Sequence, residues 1–243
     1  MSRPLRNVRA LLFDVFGTVV DWRSSVRDGL AAHFTPRGIE RDWEAFALDW
    51  RALYQPSMSA VREGRRPFVA LDVLHRESLV EVLGAHGLAD IDEREIDALT
   101  LLWHRLEPWP DVRPALERLR GRYRLATLSN GNVTLMADVA RHAALPWDAI
   151  LGAEPTRHYK PDPGAYLGSA AMLVLEPAEC LMVAAHNDDL AAARALGFRT
   201  AYVNRPDEYG ARQTKDTCAT SDWDLVRMGF DGLADALLGE GRG

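Results

Sequence analysis

The sequence is poor in cysteine and carries no excess of positive charge. Only two cysteines occur among its 243 residues, Cys180 and Cys218, and neither lies in a CxxC or other metal-binding spacing. We therefore interpret both as buried or incidental thiols of a reducing compartment. The formal net charge is −6, which gives no basic surface for nucleic acid, so we expect no nucleic-acid partner.

Long apolar runs are also missing. None approaches the roughly 18 residues that a membrane span requires. The charged start of the chain, Met1 to Arg6, is not followed by the apolar core and cleavage site of a signal peptide. We expect a cytoplasmic protein without membrane association. With 47% hydrophobic and 26% charged residues, the composition is that of a globular chain, long enough for one large domain or a domain with an insertion.

What the sequence does contain is a short apolar run that ends in a carboxylate. Residues 10–13 are followed directly by Asp14, and the pair Gly17 and Thr18 comes shortly after. The pattern is typical of a strand buried on both faces of a parallel sheet, which we place at residues 8–13. Ligands bind beyond the carboxyl ends of such strands, so Asp14 stands where a reacting group is expected. The alternative is that Asp14 caps a following helix.

The rest of the chain shows two different patterns. Residues from about 22 to 108 have helical periodicity without a convincing strand pattern, and we interpret them as an all-helical insertion, or cap. After Asp111, which we expect to cap a helix through Leu119, strands and helices alternate. The predicted strands cover 124–128, 149–151, 180–185 and 200–203, and the predicted helices cover 133–142, 160–173, 188–196 and 233–238.

This alternation predicts an α/β fold with a doubly wound parallel sheet. The predicted organisation is a core unit of residues 1–20 and 109–243, into which a helical cap of residues 21–108 is inserted. Because the carboxyl ends of parallel strands meet at one edge of the sheet, polar residues that follow different strands are expected to share one site.

Four polar clusters follow the predicted strands. They are Asp14 with Thr18, Ser129 with Asn130, Lys160, and the run from His186 to Asp189. Each has an ordinary alternative. Ser129 suits a helix cap, Lys160 a solvated lysine and His186 a core histidine, while Asp188 and Asp189 suit a cap and a favourable charge at a helix N-terminus. Four clusters on successive elements of one sheet nevertheless favour a shared site.

In order and spacing, over about residues 8–205, these stretches resemble the four motifs of the haloacid dehalogenase superfamily. The helical insertion resembles that superfamily's first class of cap. Its phosphatases carry a second aspartate in the first motif and an acidic magnesium ligand in the fourth, but here those places hold Phe16 and Ala185. Since Mg²⁺ requires oxygen ligands, the resemblance points away from phosphoryl transfer, and we expect no metal and no other cofactor.

The sequence is more similar to the L-2-haloacid dehalogenases, whose first motif reads Asp-x-Tyr/Phe-Gly-Thr. That resemblance implies a homodimeric enzyme that releases halide from small 2-haloacids, such as chloroacetate and L-2-chloropropionate, with inversion at C2. Asp14 would be the nucleophile and carry an ester intermediate. Lys160 would hold Asp14 ionised, Asp189 would orient the lysine and the hydrolytic water, and Thr18 belongs to the same catalytic set.

The same resemblance implies a set of substrate contacts. Ser129 and backbone N–H groups would bind the substrate carboxylate, while Arg51 and Asn130 would face the departing halide. The aromatic Phe16 suits a pocket that excludes water from the reacting carbon. The remaining substrate-binding residues are Val15, Tyr166 and Asn187.

Two positions depart from the dehalogenase pattern. Ala184 replaces a serine and His186 replaces an asparagine. We expect His186 to be catalytic, either as a donor in place of the asparagine or as a base for water. We also hypothesise that His186 marks a subgroup able to act on fluoroacetate. Two other functions stay open: a magnesium-dependent phosphatase for a small phosphate ester, and a catalytically weak protein that binds a small acid.

Overall fold

The computed structural model describes residues 5–239, and within that range the chain forms seven strands and eleven α-helices. The strands are β1 (Ala10–Phe13), β2 (Val20–Asp21), β3 (Glu107–Pro108), β4 (Arg124–Thr127), β5 (Cys180–Ala184), β6 (Arg199–Val203) and β7 (Leu225–Arg227). The helices are α1 (Trp22–Phe34), α2 (Trp43–Ala52), α3 (Tyr54–Arg62), α4 (Leu71–Ala85), α5 (Glu93–Thr100), α6 (Val112–Leu119), α7 (Val133–His142), α8 (Ala153–Thr156), α9 (Pro163–Met172), α10 (Asn187–Ala195) and α11 (Phe230–Leu238).

Five of the strands form one parallel sheet in the order β4-β1-β5-β6-β7. Strand β1 lies between β4 and β5, and all four of its side chains are fully buried. A strand with neighbours on both edges and helices on both faces must be apolar throughout, which is why residues 10–13 form a continuous apolar run. The predicted α/β fold with a parallel sheet is confirmed.

The predicted strand at residues 149–151 is wrong. This segment runs beside β4, but it makes only isolated bridges, between Ala149 and Ala126 and between Gly152 and Ser129. The Thr127 hydroxyl takes over part of the pairing, since its oxygen accepts from the Leu151 N–H at 2.9 Å and its O–H donates to the Leu151 carbonyl at 2.8 Å. Because the Thr127 side chain replaces a backbone hydrogen bond of the ladder, residues 149–151 do not form a continuous strand.

Three short strands were absent from the sequence-based prediction. Strand β7 extends the sheet beyond β6, and β2 pairs with β3 in a separate antiparallel pair, Val20 opposite Pro108 and Asp21 opposite Glu107. Strands of two or three residues carry too few alternations to be seen as a pattern. The last helix also begins at Phe230, three residues before its predicted start.

Helices α1 to α5 all lie between β2 and β3 in the chain, as the helical periodicity predicts. Three of these helices, α1, α2 and α5, are capped by aspartates: Asp21, Asp42 and Asp92 accept the backbone N–H groups of Ser24, Ala45 and Glu95 at 2.8–3.0 Å. Among the described residues, no helix has the length and apolar character to cross a bilayer. The division into units of residues 1–20 with 109–243 and 21–108 stays a prediction.

The starts of α9 and α10 differ from the prediction, and α6 starts as predicted but is capped differently. Asp111 occupies the capping position of α6, but its side chain makes no capping bond; its Oδ2 accepts instead from Arg205 Nη1 at 3.0 Å and from the Phe230 N–H at 2.7 Å. Helix α9 starts at Pro163 behind its cap, Asp162. His186, and not Asp188, holds the capping position of α10, without a side-chain capping bond.

Candidate active site

Asp14 lies directly after β1 and is 7% exposed. Its Oδ2 accepts the Thr18 hydroxyl at 2.7 Å, and the Thr18 oxygen in turn accepts the Ala185 N–H at 2.9 Å. The turn between the two residues depends on Gly17, whose φ of +84° suits glycine, and on Val15, whose buried carbonyl accepts the N–H of Val19. Asp14 therefore faces the site and does not cap a helix.

Lys160 joins Asp14 to Asp189. Its Nζ lies 2.9 Å from Asp14 Oδ1 and 2.5 Å from Asp189 Oδ2, and the lysine is 7% exposed. The other oxygen of Asp189 accepts the Tyr166 hydroxyl at 2.6 Å. These four predicted residues come from β1, the loop before α9, α9 itself and α10, and the structure brings them into one hydrogen-bonded group.

The charges in this group determine which of its side chains are protonated. Burial alone raises the pKa of Asp14, but Lys160, His186 and Thr18 together lower it well below the ordinary range. Burial lowers the pKa of Lys160, and the two carboxylates beside it raise that pKa by more. Burial raises the pKa of Asp189, with Lys160 opposing the effect. Asp14 is thus a carboxylate, and Lys160 an ammonium group, at neutral pH.

His186 contacts the second oxygen of Asp14 and also an unpredicted acidic residue. Its Nδ1 lies 3.1 Å from Asp14 Oδ2, and its Nε2 lies 2.9 Å from Oε2 of Glu208. Glu208 is 1% exposed, and its Oε1 accepts the Trp22 indole N–H at 3.0 Å. It lies in the loop after β6, five residues beyond the end of that strand, and was not among the predicted site residues.

Arg51 and Phe16 lie in an aromatic cluster beside Asp14. The guanidinium carbon of Arg51 lies 3.9 Å from the ring centroid of Tyr54 and 5.7 Å from that of Phe16. Arg51 is 9% exposed, and its Nη1 has no hydrogen-bond partner among residues 5–239. The buried His75 packs edge-on to Phe16 with ring centroids 6.3 Å apart, and burial lowers the pKa of His75 to about 3. Sequence reasoning missed Tyr54 and His75.

Ser129 and Asn130 follow β4 and support the lysine loop. The side-chain oxygen of Asn130 accepts the Lys160 backbone N–H at 2.7 Å, and the Ser129 hydroxyl oxygen accepts the Gly131 N–H at 3.1 Å. Both residues are buried. Their side chains thus fix the turn that follows β4. The Asn130 side chain also hydrogen-bonds Tyr54, and the Ser129 hydroxyl keeps its hydrogen for a ligand.

The structure does not bring Asn187 into this group, contrary to its prediction as a substrate contact. Its Nδ2 donates to Asp216 Oδ1 at 2.7 Å and to the Cys218 carbonyl at 3.0 Å. Its Oδ1 accepts the Thr220 N–H at 2.9 Å and the Trp223 indole N–H at 3.0 Å. With both donors and both acceptor positions in use, this amide holds the segment of residues 216–223 in place.

The residues around Asp14 do not suit a magnesium ion. Phe16 is 2% exposed and apolar, and Ala185 offers a methyl group where a carboxylate would be needed. Within the range 5–239, no group of three or more His, Cys, Asp or Glu residues has a geometry that could hold a metal ion. Asp14 and Asp189 instead share the ammonium group of Lys160. The ammonium group therefore supplies the positive charge that a metal ion would provide.

The fold and this site define a class of enzymes, and comparison with known proteins identifies it. Residues 8–197 match the family model of the haloacid dehalogenase-like hydrolases. A relative named (S)-2-haloacid dehalogenase, from Xanthobacter autotrophicus, is 30% identical over 202 residues, which cover 82% of this chain and 76% of that one. The chain belongs to the haloacid dehalogenase-like hydrolases.

Solved structures of L-2-haloacid dehalogenases have the same fold as this chain. The crystal structure of a defluorinating L-2-haloacid dehalogenase is 47% identical, with a TM-score of 0.93 over 95% of each chain. The L-2-haloacid dehalogenase of Xanthobacter autotrophicus with chloropropionic acid covalently bound is 25% identical, with a TM-score of 0.79 over 97% of this chain and 100% of that one. The chain is therefore similar to dehalogenases over nearly its full length.

Proposed function

We propose that this protein hydrolyses small 2-haloacids and releases halide through an ester formed on Asp14, without a metal ion. The observation that carries the proposal is the ionised Asp14 held between Lys160 and His186, next to the apolar ring of Phe16. An ionised carboxylate can attack carbon without a general base. A second acid, which phosphoryl transfer would need, is missing at position 16.

In the first step, one oxygen of Asp14 attacks C2 of the haloacid, and the halide leaves with the bonding electrons of the carbon–halogen bond. The free Nη1 donor of Arg51 supports this step, since it lies among aromatic rings beside Phe16 and could stabilise the departing anion. Asn130 is proposed to face the halide together with Arg51, while the Ser129 hydroxyl and backbone N–H groups near Val15 bind the substrate carboxylate.

In the second step, water attacks the carboxyl carbon of the Asp14 ester and releases the 2-hydroxy acid. Lys160 stabilises the negative charge that develops on the Asp14 oxygen, and Asp189 with Tyr166 fixes the direction of the lysine. The related structure with chloropropionic acid covalently bound supports an ester in this fold. The related defluorinating dehalogenase supports including fluoroacetate among the substrates.

Halide release from chloroacetate, L-2-chloropropionate and fluoroacetate tests the proposal. We expect chloride release by the wild-type protein and a loss of at least about 10³-fold in Asp14→Asn, because an amide oxygen is a much weaker nucleophile. Asp188→Asn removes an exposed carboxylate from the start of α10 and serves as the matched control with unchanged activity.

A single turnover in ¹⁸O-labelled water locates the bond that breaks. The proposal expects the label in the peptide that contains Asp14, because water attacks the enzyme's own carboxyl carbon. Label found in the hydroxy acid alone after one turnover would contradict the ester and indicate direct attack of water on C2.

A further inference from the structure

Glu208 has no role in the steps above, and His186 enters them only as a contact of Asp14. Glu208 is 1% exposed, and a carboxylate buried to this extent requires compensation. Its Oε1 accepts from Trp22 and its Oε2 contacts His186, while its backbone carbonyl accepts from Arg23 Nε at 3.3 Å. Contacts from α1 on one side and from the histidine on the other fix this carboxylate in one position.

The ring of His186 lies between two carboxylates, Asp14 at Nδ1 and Glu208 at Nε2. A carboxylate can only accept a hydrogen bond, so Glu208 keeps a proton on Nε2 in either charge state of the ring. The nitrogen that gains and loses a proton is then Nδ1, which faces the carboxyl group that carries the ester. We propose that His186 is the base that activates water against the Asp14 ester, and that Glu208 is the positioning residue that holds it; this rests on the proposed function.

The charge of Asp14 determines whether His186 is protonated, and only the neutral ring can act as a base. In the free enzyme, burial lowers the pKa of His186, but Glu208 and Asp14 together raise it well above its ordinary value, so the ring is an imidazolium. Esterification removes the negative charge of Asp14 and leaves Glu208 as the single carboxylate on the ring. The proton affinity of Nδ1 falls, and the ring releases its proton to solvent through the 20% of its side chain that is exposed.

The protons balance over one cycle. Water transfers one proton to Nδ1 as its oxygen bonds to the ester carbon, and the bond from that carbon to the substrate oxygen then breaks. Of the two protons of water, one ends on the hydroxyl of the product and one on Nδ1. Asp14 returns as a carboxylate and His186 as an imidazolium, so each cycle releases one halide ion and one proton.

His186→Asn and Glu208→Gln, measured with chloroacetate in rapid-quench experiments, test the inference. In His186→Asn we expect a burst of about one chloride per site, then hydrolysis of the ester slowed roughly 10²-fold or more, with the ester visible on Asp14 by mass spectrometry. Asp207→Asn, an exposed neighbour on the same loop, is the control and should release chloride with the time course of the wild-type protein.

The pH dependence of ester hydrolysis in Glu208→Gln distinguishes a positioning role from a purely structural one, because a structural role would leave it unchanged. Removing the negative charge lowers the pKa of His186 in the ester, so the rising limb of ester hydrolysis against pH should move to lower pH. Two results would overturn the inference. One is ester hydrolysis at the wild-type rate in His186→Asn, and the other is an unchanged pH dependence of ester hydrolysis in a folded Glu208→Gln protein. A wild-type protein that releases no chloride would instead contradict the proposed function, so the two failures are distinguishable.

Discussion

At the scale of single residues, Lys160 is the cation on which the charge of the site depends. The chain contains 27 arginines but just two lysines, Lys160 and Lys215. Lys160 is buried between Asp14 and Asp189 with its ammonium group within 2.9 Å of both. A flexible ammonium group can reach two separate carboxylates as a point charge, which the planar fork of arginine does not do in the same space.

Lys160→Met should raise the acid limit of activity. Lys160 lowers the pKa of Asp14, so its removal raises that pKa and leaves less of the carboxylate ionised at a given acidic pH. We expect the acid limb of the pH profile of halide release to move up by roughly 1–3 pH units, with a rate loss of about 10²-fold or more at neutral pH. Lys215→Met, on an exposed loop, should leave both quantities unchanged.

Much of the site could be predicted from residues that directly follow a strand. Asp14, Thr18, Lys160, His186 and Asp189 were predicted from their places after the strands, and Tyr166 from the resemblance to the dehalogenases. All six lie in one hydrogen-bonded group. Glu208 was missed because it lies five residues beyond the end of β6, in a loop without regular pattern. Asn187 was predicted as one of the polar residues that follow β5, but its side chain bonds Asp216 and Cys218 while that of His186 contacts Asp14 and Glu208.

At the scale of secondary-structure elements, α4 is joined to α7 by a polar cluster. His104 Nε2 lies 3.1 Å from Asp72 Oδ1 on α4, and its Nδ1 lies 2.9 Å from Asp138 Oδ2 on α7. Asn132, before α7, donates to Asp72 Oδ2 at 2.8 Å. The carboxylates raise the pKa of His104 against the effect of burial, and His104 and Asn132 lower that of Asp72. The cluster therefore favours a protonated histidine.

His104→Gln should destabilise the protein most in mildly acidic solution. A raised pKa means that the histidine contributes fully below its unfolded value, near 6.5, and that this contribution is lost as the pH rises through the folded pKa. We expect the melting temperature to fall by roughly 2–4 °C at pH 6, for a loss of about 1 kcal/mol, and by less at pH 9. A difference that grows with pH would contradict this. His158→Gln, on a half-exposed histidine, is the control.

Long elements could be predicted, and short ones could not. Strand β1 buries all of its side chains, which gives a continuous apolar run. Helix α1 buries one residue in four, which gives apolar residues at helical spacing. The segment 149–151 has the composition of a strand, but the Leu151 N–H donates to the Thr127 hydroxyl and not to a backbone carbonyl. Such a substitution depends on a side chain more than twenty residues away, which no local pattern records.

At the scale of the whole molecule, the chemistry should need no divalent cation. Lys160 fills the place between Asp14 and Asp189, and Phe16 and Ala185 offer no oxygen ligands. We expect halide release to stay within about twofold of its initial rate after EDTA treatment and after addition of Mg²⁺, measured with chloroacetate. Loss of activity in EDTA that Mg²⁺ restores would contradict this prediction.

The antiparallel pair of β2 and β3 closes the two ends of the helical segment against each other, because Asp21 lies opposite Glu107. The helical segment leaves at Asp21 and returns at Glu107, which are paired, so it interrupts no strand of the five-stranded sheet. A short bridge across this pair would therefore give a continuous chain with the sheet intact. Arg51 lies within this helical segment, whereas Asp14 and Lys160 lie outside it, so a change of the helices would alter the ligand contacts at Arg51 and leave the Asp14–Lys160 pair unchanged.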